Sequence, residues 1–163
     1  MTYNNSTIEV MIEIPKGSRN KYEYDKKKNV IVYDRMLFSA VHYPSDYGFI
    51  TNTLGQDGDA LDALVLVTEP TFPGCHIEAK PIGLFKMEDE KGPDEKILCV
   101  PIKDPLWNHI SSLDDVPPHL LREIEHFFTI YKDLEDKKTG IDGWDDLEAA
   151  HKIINEARDR FRS

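Results

Sequence analysis

The chain has 163 residues, enough for one domain with a substantial core, since a folding unit usually takes ~100–200 residues. Twenty basic against thirty acidic side chains leave a formal charge of −10, which argues against nucleic acid or an anionic membrane as the main partner. The two cysteines, Cys75 and Cys99, lie too far apart for a zinc knuckle or a disulfide framework, so buried free thiols in a reducing cytoplasm are expected.

Residues 1–10 have neither the basic start nor the apolar middle of a secretion signal, and no apolar run approaches the ~20 residues that span a bilayer. A soluble, cytoplasmic protein is therefore expected. Ile8, Val10, Ile12 and Ile14 alternate with Glu9, Met11 and Glu13, the period of a strand that ends at Pro15 and leaves Glu13 near its end. Residues 21–24 and 30–33 flank the polar turn 25–29 and read as a hairpin, with Lys21 and Glu23 on one face of its first arm. Residues 42–49 form a tyrosine-rich stretch, and Pro44 and Gly48 predict a loop there. Its phenols either pack or face a ligand.

Residues 52–58 continue as loop, and 61–67 become a strand buried on both faces. Two further strands, 77–87 and 96–102, are joined by the acidic segment 88–95. After Asp115 the period turns helical: Pro117 and Pro118 suit a helix start, and Leu120, Leu121, Ile124, Phe127, Phe128, Tyr131 and Leu134 make one apolar stripe. A second helix is expected from Asp145, with Asp145 and Glu148 as a capping box and Ala149, Ala150, Ile153, Ile154, Ala157 and Phe161 as its buried face. No repeat, low-complexity tract or linker divides residues 1–163, so a single domain is expected. Strands first and helices last predict an α+β domain in which a mostly antiparallel sheet or small barrel is flanked by two C-terminal helices.

The most informative stretch is Asp57-Gly58-Asp59-Ala60-Leu61-Asp62, three carboxylates in six residues at the entrance of a buried strand. Repulsion and desolvation oppose that crowding unless a cation arrives. No regular helix or strand gathers all three acids on one face, but a loop bent at Gly58 does, and oxygen ligands on a loop suit hard cations such as magnesium or calcium. An EF-hand is excluded, because its sixth and twelfth positions fall on Asp62 and Thr68 instead of glycine and glutamate. The plainer alternative is a solvated acidic turn. Against it stand a second acidic pair, Asp89 and Asp94, the cations Lys21, Arg35, Lys96 and Lys132 near element ends, and the phenols of Tyr43, Tyr47 and Tyr131.

With these features in view, the sequence resembles the soluble family I inorganic pyrophosphatases of the short bacterial and archaeal type. The likeness rests on DGDALD at residues 57–62, IEIP at 12–15, KYEYD at 21–25, DR at 34–35, HYPSDYGFI at 42–50, KMEDEKGPDEK at 86–96 and HFFTIYKDLE at 126–135, in the family's order. Ala60 stands where the family usually has proline, which bears on the rigidity of the loop. The resemblance implies a closed five-stranded OB-like barrel flanked by two C-terminal helices, hydrolysing inorganic pyrophosphate to two orthophosphates with several magnesium ions per site, manganese or zinc being substitutes. It implies metal ligation by Asp57, Asp62 and Asp94 on the water side and by Asp89, Asp94 and Glu23 on the substrate side. Asp59 is then the general base, with Glu13 beside the metal and water network. Lys21, Arg35, Tyr47, Lys96, Tyr131 and Lys132 hold the phosphoryl groups, with Tyr43 near them. A homohexamer is also implied, with contacts around His126 on the first helix; by itself His126 reads as a residue at the core's edge. A non-catalytic metal-binding barrel and a phosphohydrolase acting on nucleotides or polyphosphate are the competing readings.

Overall fold

The computed structural model describes residues 6–163. Part of the segment read as lacking a secretion signal, residues 1–5, lies outside the described residues. Five strands close into a ring: β1 (Ile8–Ile14), β4 (Asp46–Ile50), β5 (Asp62–Val65), β8 (Lys96–Pro101) and the 14-residue β6 (His76–Asp89), which returns to β1. Only the β5–β8 pairing is parallel among these five. This is the mostly antiparallel OB-like barrel that was expected. The hairpin of β2 (Asn20–Asp25) and β3 (Val30–Met36) forms a separate two-stranded sheet, and β7 (Gly92–Pro93) and β9 (Gly140–Asp145) both pair with β6.

Strand β5 is buried on both sides, and that is why its sequence is a continuous apolar run rather than an alternating one. Leu64 and Leu66 join a core cluster with Phe127 and Phe128 of α1 (Pro118–Ile130), while Ala63, Val65 and Val67 join another with Ala150, Ile154 and Ala157 of α2 (Leu147–Arg162). Strand β6 changes phase between these clusters. Ala79 and Leu84 sit in the same cluster despite opposite parity, because a bulge between Pro81 and Gly83 inserts one residue into the pairing with β8.

Two strands depart from the sequence expectation. Residues 46–50 are the barrel strand β4, not loop: Gly48 is a site of close backbone approach, where a Cβ would lie 1.9 Å from the Met11 carbonyl oxygen of β1. Strand β9 has no alternating apolar pattern, since glycines occupy Gly140 and Gly143 and it pairs with β6 across a register shift.

The helices fall where the apolar period places them, with differences at their ends. Proline occupies the first position of α1, but Leu134 lies beyond the helix in a 3-10 turn and is 67% exposed. Helix α2 is capped by Asp146, not Asp145; the Asp146 side chain accepts a hydrogen bond from Ala149 N at 2.9 Å. Phe161 is exposed near its end. Cys99 is buried and Cys75 is half-buried, both as free thiols.

Candidate active site

The acidic loop curls because Gly58 adopts φ +88 and the Asp57 side chain accepts the Asp59 amide at 3.0 Å, an Asx-type turn. The Gly55 amide closes the loop by donating to the Asp59 carbonyl at 2.6 Å. Asp62 is the first residue of β5, and the parallel register sets it opposite Lys96, the first residue of β8. The Lys96 ammonium therefore lies between two acids, 3.0 Å from Asp62 Oδ2 and 3.1 Å from both oxygens of Asp94. It also donates to the Tyr47 hydroxyl at 2.6 Å, and that hydroxyl donates to Asp62 Oδ2 at 2.9 Å. Burial opposes the charge of Lys96, but the carboxylates of Asp62 and Asp94 outweigh it and hold its pKa above the ordinary lysine value.

Asp62, Asp94 and Tyr47 floor a cleft of about 500 Å³ whose lining comes from several parts of the chain. Strand β1 contributes Glu13, the β2–β3 hairpin Lys21, Glu23 and Arg35, and the acidic loop Asp57 and Asp59. The β6–β7 turn and its exit contribute Asp89 and Asp94, and the end of α1 contributes Tyr131 and Lys132, with Asp62 and Tyr47 between them. Of the residues singled out in the sequence, only Tyr43 and Lys96 do not line it. Tyr43 is buried at 1% exposure, its ring 5.4 Å from that of Tyr47 and 4.7 Å from that of Phe127. Lys96 is equally buried, beneath the floor.

The cleft is bipolar. On its acid side, desolvation pushes the Glu13 carboxyl up to about 7, although the Tyr24 amide donates to it at 2.9 Å and opposes the shift; nearby Asp62 adds to it. Desolvation likewise raises Asp94 against the pull of Lys96, and raises Asp57 against the hydrogen bond from the Asp59 amide. On the cationic side the register sets Lys21 opposite Arg35. Lys21 pairs with Glu23 at 2.5 Å and Asp34 at 3.2 Å, and Arg35 pairs with Asp34 at 2.5 Å and Glu135 at 2.9 Å. Burial would raise the Asp34 carboxyl, but Lys21 and Arg35 prevail and lower it. Lys132 and Lys137 both lean toward Glu90, at 3.7 and 3.8 Å, and Lys91 reaches Asp59 at 3.8 Å.

Asp34, Glu90, Lys91 and Glu135 therefore belong to the cleft's charge network although the sequence reading gave them no role. Asp34 adjoins its partner Arg35 in sequence, which is a local signal, whereas Glu90 pairs with Lys132 and Lys137 and Glu135 with Arg35 across the fold, where sequence spacing carries no signal. The donor set fits a hard divalent cation: Glu13, Glu23, Asp57, Asp59, Asp62, Asp89 and Asp94 offer carboxylate oxygen to one cleft. Among the described residues no three acidic, histidine or cysteine side chains already form a closed metal cage; the acids stand along the walls. Such a cleft can take cations on one side and an anion between them and the basic wall.

Comparison with known proteins gives the same direction. A family model described as inorganic pyrophosphatase matches residues 10–162. The inorganic pyrophosphatase of Methanosarcina mazei is 62% identical over 152 residues, covering 93% of this chain and 90% of that protein. That of Halalkalibacterium halodurans is 51% identical over 162 residues, covering 99% of each. The solved structure of the Helicobacter pylori inorganic pyrophosphatase superposes with a TM-score of 0.96 at 40% identity, covering 99% of this chain and 97% of that one.

Proposed function

Because the chain belongs to the inorganic pyrophosphatase family and hydrolyses pyrophosphate to two orthophosphates, we propose how the cleft divides that reaction among its residues. Family membership sets aside the non-catalytic barrel. The reaction depends on a divalent metal, which we assign as magnesium, with manganese or zinc as substitutes, on the strength of the family; the all-oxygen donor set suits magnesium and manganese. When bound, such cations neutralise the diphosphate and lower the pKa of a water from 15.7 toward ~7. Asp57, Asp62 and Asp94 hold the cations on the water side, and Asp89, Asp94 and Glu23 hold those arriving with substrate.

Asp59 accepts the proton of the attacking water as the new oxygen–phosphorus bond forms and the bridging bond breaks. Its side chain is 69% exposed to the cleft mouth, within reach of a water in a way that the floor carboxylates are not. Glu13 orients the same network. Lys21, Arg35 and Lys132 meet the phosphoryl oxygens and offset the charge that develops on the leaving phosphate, and Tyr131 adds a neutral donor. Burial raises the Tyr131 pKa against the pull of Lys96, so its hydroxyl keeps its proton. Lys96 acts one layer down, fixing the Asp62 and Asp94 carboxylates, while Tyr47 on the cleft wall fixes Asp62 and Tyr43 supports the Tyr47 ring. We assign the whole of residues 1–163 to one domain and to the cytoplasm; no described helix is long and apolar enough to cross a membrane. Six copies assemble, with α1 around the exposed His126 at a contact.

The observation that carries this reading is the convergence of acids and cations from several chain segments on one cleft. A phosphate-release assay tests it. Pyrophosphate turnover should appear with magnesium and vanish with a chelator, and Asp59→Asn should bind metal nearly as the parent does while losing ~10²–10⁴-fold in rate. Full activity in Asp59→Asn moves the proton acceptor elsewhere.

A further inference from the structure

Helix α2 closes the chain, contributes no side chain to the cleft, and yet holds the acidic loop by its backbone. Both backbone polar groups of Leu54, three residues before Asp57, end on that helix: the amide donates to the Ala157 carbonyl at 3.0 Å, and the carbonyl accepts from Arg160 Nη1 at 2.6 Å. From the next residue the loop is closed on itself. The Gly55 amide bonds the Asp59 carbonyl, the Gly58 amide bonds the Gly55 carbonyl at 3.2 Å, and a Cβ on Gly55 would lie 3.1 Å from both Asp57 Oδ1 and the Asp59 carbonyl oxygen. A shift at Leu54 therefore passes directly to Asp57 and Asp59. Behind the loop a cavity of only about 10 Å³ is shared by Asp57, Asp94, Glu95, Ile153, Ala157 and Arg160, so the helix backs both acid-bearing segments and leaves little room for the loop to retreat.

We propose that Arg160 is a positioning residue for the metal site, acting through the Leu54 carbonyl to fix the loop that presents Asp57 and Asp59. The guanidinium suits this role because its charge strengthens the hydrogen bond and its planar fork is already oriented for an acceptor. The plainer role for Arg160 is its pair with Glu156, one helical turn back at 3.9 Å, which would stabilise α2 alone. The two roles separate experimentally. The inference rests on Asp57 and its neighbours being the metal site, so its test begins with that site.

Manganese binding to the full chain, followed by electron paramagnetic resonance without substrate, is the readout, together with amide exchange at Leu54. Arg160→Gln should weaken manganese binding by roughly 10–100-fold, the usual cost of losing an outer-shell support, and should speed exchange of the Leu54 amide. Arg160→Lys should restore most of both, because an ammonium still donates to one carbonyl. Glu156→Gln, which removes the ion pair and leaves the backbone bond, should bind manganese within about twofold of the parent, as expected for a half-exposed pair. Parental manganese binding and Leu54 exchange in Arg160→Gln, or an equal loss in Glu156→Gln, overturns the inference while the metal site stands. A parent that takes up no manganese overturns both.

Discussion

Glu13 shows what the cleft costs a single side chain. Its pKa is up at about 7 from the 4.5 of an unperturbed glutamate, so between pH 4.5 and 7 the folded chain holds a proton that the unfolded chain has released. The native state then binds more protons than the unfolded one, and stability falls as pH rises through that window. In urea unfolding of metal-free protein, Glu13→Gln should lose this part of the pH dependence and be more stable than the parent above pH 7, by up to about 3 kcal/mol. Equal slopes in parent and variant would place the cost on another acid. At this scale the sequence was readable for residue type and order and poor for depth. Lys21 and Arg35, singled out as cations near element ends, face the cleft, whereas Lys96 lies under its floor. Its partner Asp94 lies two residues away in sequence, but Asp62, the other acid that holds it, is supplied only by the parallel register of β5 and β8.

Elements were legible where one physical signal dominated and obscure where two competed. Strands β1 and β5 and both helices follow their apolar periods. Strand β4 was hidden because Gly48, ordinarily a loop residue, is required by contact with a neighbouring backbone, and β9 because its glycines erase any alternation. The reading of β4 has a direct check. Gly48→Ala would drive a methyl group into the Met11 carbonyl, forcing β1 and β4 apart. Overpacking of this kind typically costs ~1–3 kcal/mol, which for a chain of this size lowers Tm by several degrees. Since β4 also sets Phe49 opposite Asp62, the variant should need more metal for half-maximal activity; calorimetry and a metal titration read the two effects. An unchanged Tm would mean that the strands are free to separate without loss.

At the scale of the molecule, an acidic chain that works on an anion needs cations beside its acids, and the fold brings the two together from distant segments, as in the pairs of Lys96 with Asp62 and of Arg35 with Glu135. Acids cluster where β1, β5 and the β6–β7 turn end, while cations arrive on the β2–β3 hairpin and from the end of α1. Tyr33, Met36 and Phe38, on and just after that hairpin, are 60%, 44% and 53% exposed. Light scattering should give six times the 18.8 kDa of one chain, and a monomeric mass would remove the hexamer. The ammonium of Lys96 between Asp62 and Asp94 has one more consequence. A site of acids alone would repel itself until its ions came, and its folding would depend on them. Here the chain carries a resident counter-ion between two of the acids, so chelator-treated protein should still unfold cooperatively, with metal supply setting how much of it is active rather than how much of it is folded.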